Sequence, residues 1–530
     1  MGSLKKQQWS GALLLFFAIM ALYVFGVQNT VFIYDDYEQI ETEKAEFSSY
    51  KLKQIFTKPH FSNVCYYRPI CRLALLFEKL AFGDKAWSYR IVNATVLSFI
   101  SIALYLFLLK FLPSLGCGMA FCLGLCFALH PISAQMVYII TCQEVLLFAF
   151  FAILHSYFYF NGKKLASVIF LYLAMLCREN AAALPLIILI FDVYMNRKLG
   201  LKVAFKNGLL KTRYLWLVLF LYLIQRFMIV SLVDEEMESS SLAGPVMAYL
   251  FMLQSCLFPS FSFIYEPGLE SWFTFERTLP TVIVTVIALF CFLKNKYDDK
   301  LKNSMMFLLL WIFIVYLPTA NLFSQQTSYA NRHCMAVMPE LIALLVIVFS
   351  KLFTDYKKLA VIMVIVITSV FGFISYKHKV YFKNELLFAT QWLRHTPYSK
   401  HAQRLASMAL IREGHFDRAI ALIKESIKDG EYNETMYNNL GIAYQCKGQY
   451  DKAEPYLNSI LARKPLNKDV LFNCAINDFY MKRYRVAFMR FVYISSLSSK
   501  VGNIKVDENL CNFINAAWQN ISLQMTFSSF

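Results

Sequence analysis

The sequence predicts an all-α protein in two parts, a polytopic membrane domain followed by a soluble α-solenoid. Of its 530 residues 58% are hydrophobic, whereas soluble domains average roughly 45–50%. Apolar runs recur through residues 1–375, several of them long enough to span the ~30 Å hydrocarbon core. From about Ser375 onward the composition turns charged and mixed, and a 34-residue period emerges.

The net charge of +17 is concentrated in short loops. Met195–Arg213 carries Arg197, Lys198, Lys202, Lys206, Lys211 and Arg213; Lys294–Lys302 holds four lysines, and Lys163–Lys164 and Lys357–Lys358 are short basic pairs. Basic short loops mark the cytoplasmic side of a membrane protein. The charge therefore reports topology, and nucleic acid is not an expected partner. The 13 cysteines show no CxxC pair and no Cys/His metal spacing, so no metal site is expected. Cys65 and Cys71 share the first outer loop and form a candidate disulfide.

Taken in order, Lys5 and Lys6 place the N-terminus inside, before a retained first helix at about 10–32. It delivers Phe32-Ile33-Tyr34-Asp35-Asp36 to the outer face and a long loop, 33–89. Helix two (90–111) returns, and helix three (117–130) ends at His130-Pro131. Helix four (143–160) runs to the basic NGKK turn, and helices five (165–177) and six (181–195) form a hairpin with Cys177-Arg178-Glu179-Asn180 at its outer tip. Helix seven (214–233) emerges into Asp234-Glu235-Glu236. Residues 246–265, broken by Pro259, are expected along the outer interface. Helices eight (279–293), nine (304–318), ten (334–353) and eleven (359–375) complete the domain. This odd count puts the C-terminal part on the face that carries Asp35 and Asp36.

After a connector (376–399), the soluble part repeats. Gly414-His415-Phe416-Asp417-Arg418-Ala419 recurs as Gly448-Gln449-Tyr450-Asp451-Lys452-Ala453 and as Lys482-Arg483-Tyr484-Arg485-Val486-Ala487, 34 residues apart each time. In the middle copy Tyr437, Leu440, Gly441, Tyr444 and Pro465 fit as well. This is the tetratricopeptide pattern over 400–500, in which each helix pair hides its apolar face by stacking on its neighbours; residues 501–530 are the expected helical cap. Such arrays bind peptides and proteins, and Tyr437, Asn438 and Tyr444 are the candidate acceptor contacts.

The outer face collects the polar residues: Asp35–Asp36, Tyr67-Arg68-Pro69, His130-Pro131, Gln143-Glu144, Arg178-Glu179-Asn180 and Arg332-His333. Charges near membrane depth mark sites or pathways. Arginine offers a planar fork to phosphate oxygens, and a carboxylate can take a proton from an attacking hydroxyl. Neighbouring side chains point apart in both strand and helix, so one aspartate acts as base while the other orients the loop or acceptor. A solvated helix cap is the competing reading of the pair.

Together the outer-face "YDD", the later "YRP", "FALHP" closing helix three, "REN…LPL…D" of helices five and six, and the terminal array resemble the transmembrane and tetratricopeptide-repeat O-mannosyltransferases and their bacterial relatives. These are polyprenyl-phosphate-sugar-dependent glycosyltransferases of the GT-C class. The resemblance implies catalysis by Asp35 and Asp36, donor-phosphate binding by Arg332, Arg178 and Arg68, and a substrate pocket with Tyr67, His130, Glu144, Glu179 and His333. Where the family carries an acid after His-Pro and a Gly-Arg-Asp-like group, this chain has Gln135 and Cys142-Gln143-Glu144. The donor sugar is thus not fixed as mannose.

The expected activity is inverting transfer of a sugar from a polyprenyl-phosphate lipid to Ser or Thr of a secreted or membrane protein, such as a pilin or other envelope protein. No cofactor is required for it, because the lipid phosphate is already a good leaving group. The alternatives are a non-enzymatic membrane scaffold and a lipid-linked sugar transporter, each presenting the repeat domain. A bacterial inner membrane with the C-terminal part in the periplasm is the expected location, with the endoplasmic reticulum as the alternative.

Overall fold

In the computed structural model the chain divides into two compact units, Met1–Gln391 and Trp392–Phe530. The structure describes residues 2–25, 27, 30–33, 36, 40, 48–58, 66–112, 116–230, 244–259, 264–265, 275–294, 297–320, 329–352, 357–428, 433–499 and 512–520. Every membrane helix expected from the apolar runs has a helical counterpart. Among the described residues seven helices are long and apolar enough to cross a membrane, and an eighth span is counted if Gly116–Leu129 and Pro131–Tyr138, bent by 53°, are taken as one. Lys164–Cys177, Gly244–Leu257 and Met338–Phe349 are shorter apolar helices.

Helices Ala86–Phe111 and Gln143–Phe160 form the centre of the first unit, packed against Gly2–Val24, Gly116–Leu129 and Lys164–Cys177. Glycine at 124 lets two of these neighbours close in, since a Cβ there would lie 3.0 Å from the Leu15 side chain and 3.2 Å from the Ser101 carbonyl. Small residues bring membrane helices into contact in this way. Phe275–Lys294 and Lys357–His378 lie at the periphery and leave apolar side chains such as Val286, Leu293, Ile362 and Phe373 exposed. These are the surfaces that lipid would cover.

Two boundaries depart from expectation. The first helix is Gly2–Val24 rather than 10–32, and residues 30–33 are not helical. Gly26, Asn29 and Thr30 are poor helix formers, and the Thr30 hydroxyl donates to the Val27 carbonyl at 2.6 Å. Asp36 therefore sits well beyond the helix end. The second correction concerns the basic stretch 195–213. Helix Leu201–Val230 already holds Lys202, Lys206, Lys211 and Arg213, so these cations line a helix rather than a loop. Residues 246–265 divide between helix Gly244–Leu257 and a two-residue strand, Ile264–Tyr265, antiparallel to Tyr329–Ala330. Asp234-Glu235-Glu236 and Cys65 lie outside the described residues. Cys71 Sγ is 3.6 Å from the Cys177 carbonyl.

The second unit is a stack of antiparallel helix pairs: Lys400–Arg412 with Phe416–Ser426, Glu434–Cys446 with Tyr450–Arg463, and Lys468–Tyr480 with Tyr484–Ser499. The period is visible in the caps. Ser399, Asn433 and Asn467 each accept the backbone N–H three residues on, at 3.1, 3.1 and 3.2 Å, satisfying an otherwise orphaned donor. Gly414, Gly448 and Lys482 turn each pair with φ of 78°, 72° and 62°. That conformation costs a side chain roughly 1–2 kcal/mol, and only the third repeat bears it. Ile423, Leu440, Ala453, Leu457 and Val470 join neighbouring repeats in one core. Residues 512–520 are helical, and Phe513 and Ile514 pack on the third repeat beside Phe491.

Candidate active site

The site begins with how Arg68 is presented. Pro69 opens helix Pro69–Phe82 at its first turn, leaving Arg68 as the residue just before it. Tyr67 is fully buried; its hydroxyl donates to the Phe56 carbonyl at 3.1 Å and accepts from Gln225 at 2.7 Å. This fixes the backbone of Tyr66-Tyr67-Arg68. Its polar atom is thereby committed within the protein.

The Arg68 guanidinium lies 4.0 Å above the Tyr66 ring, pairs with Glu144, and reaches Glu179 Oε2 at 3.1 Å. Glu144 begins helix Gln143–Phe160 just after the short turn Ile140–Cys142. Arg178 follows the end of helix Lys164–Cys177 in extended backbone, and Glu179 starts the 3-10 turn Glu179–Ala183. Asn180 anchors this hairpin tip by donating to the Val315 carbonyl at 2.8 Å. The Arg178 side chain is 4% exposed and 3.9 Å from Glu144 Oε1. Its Nη1 is buried with no hydrogen-bond partner among the described residues, as is Glu179 Oε1. A buried guanidinium with an unused donor and a carboxylate with an unused acceptor make a polar site that has capacity to spare.

Asp36 joins the group from the other side. It is fully buried, its Oδ1 accepts the Thr141 N–H at 3.2 Å and its Oδ2 accepts the Ile33 N–H at 3.3 Å. Arg90 ties the same two segments, donating to the Tyr138 carbonyl at 2.8 Å and the Val31 carbonyl at 2.6 Å. The solvated-cap reading is thereby corrected for Asp36: its carboxylate is enclosed and holds the first loop against the turn before Glu144. Asp35 lies outside the described residues.

Arg332 arrives on the four-residue helix Asn331–Cys334, which Asn331 attaches to the bent helix by donating to Gln135 at 2.9 Å. Cys142 senses the charges of Arg332, Glu144, Asp36 and Arg178, and Arg178 senses Glu144, Arg68, Arg332 and Glu179. Six charged residues that are remote in sequence thus converge around one buried turn. His333, beside Arg332, is buried as well.

His130 does something else. Its Nδ1 accepts the Ile132 N–H at 3.1 Å, which leaves Nε2 to donate to the Cys256 carbonyl at 3.0 Å. Fully buried with both ring nitrogens engaged, it caps helix Pro131–Tyr138 at the 53° bend. Both of its nitrogens are thus spent on holding the bend.

In the repeat unit, Tyr444 is 6% exposed within the core and Tyr437 packs its ring 5.7 Å from Tyr456. Tyr444 thus lies in the core, where repeat-signature positions seal one helix pair on the next, whereas Tyr437 is only partly buried against it. Asn438 Oδ1 accepts from Asn473 of the following repeat at 2.8 Å.

Sequence reasoning missed several participants. Tyr222 and Arg226, on helix Leu201–Val230, belong to the same electrostatic neighbourhood as Glu179 and Arg68. The signal was available, for an arginine inside an apolar helix is a site marker in itself. Glu78 was missed too: it is buried and accepts from Gln143, the residue beside Glu144. Among the described residues no three His, Cys, Asp or Glu side chains group as a metal site.

No family model and no curated protein matches the chain. Two solved structures are similar to it. ArnT from Cupriavidus metallidurans bound to undecaprenyl phosphate is 13% identical, with a TM-score of 0.42 over 91% of this chain and 80% of that one. The tetratricopeptide domain of P58(IPK) is 11% identical, with a TM-score of 0.25 over 79% of this chain and 98% of that one.

Proposed function

We propose that this chain is a membrane glycosyltransferase that moves a sugar from a polyprenyl-phosphate lipid to a Ser or Thr hydroxyl of a protein on the outer face. The supporting observation is the buried convergence of Arg68, Arg178 and Arg332 with Asp36, Glu144 and Glu179. A transporter needs charges distributed along a path, and a scaffold needs none of them. A reaction that departs from a lipid phosphate needs cations at the phosphate and a carboxylate at the incoming hydroxyl.

In this reading Asp35 takes the acceptor proton as the hydroxyl oxygen attacks the anomeric carbon. The bond from that carbon to the phosphate oxygen breaks, and the leaving phosphate keeps the electron pair. Arg178 and Arg332 offset its charge, which is worth more in a site shielded from water. Asp36 is the positioning residue in this reading, since its oxygens accept the Ile33 and Thr141 N–H groups and so tie the first loop to the turn before Glu144. Arg68 is held by two carboxylates and sets the geometry of Glu144 and Glu179. A single displacement inverts the anomeric centre. The repeat unit would bind the acceptor protein and raise its effective concentration for transfer.

The test is mass spectrometry of secreted and envelope proteins from cells with and without this chain, and with Asp35→Asn or Asp36→Asn. Sugar mass increments on Ser or Thr should vanish without the chain and with Asp35→Asn. Glycans that stay intact while both variants express normally would overturn the catalytic reading and leave the scaffold.

A further inference from the structure

A second site lies away from the one described, between helices Lys164–Cys177 and Leu201–Val230. There a cleft of about 440 Å³ is lined by Lys164, Leu165, Val168, Leu210, Arg213 and Tyr214, with Lys211 at its edge. Its charges are unequal in their commitments. Lys211 Nζ is bound to Asp192 at 2.6 Å, and Asp192 also accepts from the Tyr159 hydroxyl, so that lysine is neutralised within the protein. Lys164 and Arg213 pair with no carboxylate among the described residues; Lys164 has only the Tyr214 ring, at 6.0 Å. The walls are apolar and open, with Leu165 74% exposed and Leu210 53% exposed.

Two uncompensated cations above an apolar wall match one chemistry: an anion attached to a hydrocarbon chain. The helix supplies the depth. The part of helix Leu201–Val230 from Tyr214 onward is roughly 25 Å long, close to the ~30 Å hydrocarbon core. When it crosses the core, Lys211 and Arg213 stand at its headgroup edge. Trp216 and Tyr214, one turn further in than Lys211, are the aromatic types that settle at that interface. Basic pockets between membrane helices on the lysine-rich side hold anionic headgroups.

We infer that this cleft binds an anionic glycerophospholipid, its phosphate between Lys164 and Arg213 and an acyl chain along Leu165 and Val168. The bound lipid would brace the hairpin whose far tip carries Arg178 and Glu179.

The experiment is native mass spectrometry of the detergent-purified full chain with added phosphatidylglycerol, phosphatidylcholine or undecaprenyl phosphate. Phosphatidylglycerol should be retained at least fivefold more than phosphatidylcholine. Lys164→Gln with Arg213→Gln should remove that preference, while Lys164→Arg with Arg213→Lys should keep it. The neutral double variant leaves the Lys211–Asp192 pair untouched, and its thermal midpoint should match the parent. Equal retention of the two phospholipids, or a preference that survives the neutral double variant, overturns the assignment. Selective loss of undecaprenyl phosphate binding in that variant also overturns it, since the cleft would then belong to the donor lipid. Sugar transfer need not change for the site to stand, so its failure and that of the catalytic reading are separable.

Discussion

Replacing Asp36 by asparagine separates positioning from catalysis. The carboxylate is enclosed and each oxygen accepts one backbone N–H, from Thr141 at 3.2 Å and Ile33 at 3.3 Å. Asparagine has nearly the same shape but keeps one acceptor and turns an NH2 toward the other N–H. One hydrogen bond to a charged group is lost and a buried donor is stranded, a loss of about 2–3 kcal/mol. The loop that carries Asp35 then loosens from the turn before Glu144. A misplacement of about 1 Å costs roughly 100-fold in rate, without changing which group titrates. The assay pairs thermal unfolding of the purified chain with the pH dependence of sugar transfer. Asp36→Asn should lower the unfolding midpoint by several degrees and cut kcat about 100-fold with an unaltered pH profile. Asp35→Asn should leave the midpoint in place and remove the acid limb of that profile, at a loss of roughly 10²–10⁴-fold. If instead Asp36→Asn unfolds like the parent yet erases the acid limb, Asp36 is the base and the division of roles is wrong.

Two further predictions concern stability. Glu78 lies in the outer-loop helix Pro69–Phe82, and burial raises its carboxyl from 4.5 to about 7, against the opposing effect of the Gln143 hydrogen bond. The folded chain thus holds this proton where the unfolded chain has released it, so stability falls as pH rises from about 4.5 through 7 and then levels. The total is on the order of 3 kcal/mol. Glu78→Gln should flatten the thermal midpoint measured from pH 5 to 8, and an unchanged slope would show that Glu78 is ionised and compensated. In the repeat unit, a methyl at position 441 would meet Leu457 at 2.6 and 2.8 Å. Gly441→Ala should destabilise that unit by about 1–2 kcal/mol, overpacking outweighing the helix propensity gained. Adding Leu457→Val should recover part of the loss in the same urea titration; a stabilised single variant would mean that Leu457 moves aside freely.

Much of this architecture is legible because membranes and repeats impose strict patterns. A span needs an apolar run, so Ala86–Phe111 is evident in the sequence. A solenoid needs the same cap and turn every 34 residues, so Ser399, Asn433 and Asn467 announce their helices. Arg68, Glu144, Glu179 and Arg178 could be gathered on one face by counting spans, and the fold does bring them into contact. What was not legible depends on backbone partners. No pattern shows that Asp36 accepts from Thr141, or that His130 spends both nitrogens on Ile132 and Cys256. "HP" reads equally as a pocket motif and as a cap followed by proline at the first helical turn. Tyr444 is conspicuous in the sequence for a related reason, since signature residues in a repeat seal its core.

The energetics also bear on why the buried charges are there. Removing charges from water costs several kcal/mol per ion, and close pairing returns that cost only when every donor and acceptor is used. Here they are not all used: Arg178 Nη1 and Glu179 Oε1 are buried without hydrogen-bond partners among the described residues. An apolar replacement of the same volume would serve stability as well or better. The chain is rich in such side chains. On the proposed reading a bound lipid-phosphate sugar would use this spare capacity, a phosphate oxygen meeting the Arg178 donor and a sugar hydroxyl the Glu179 acceptor.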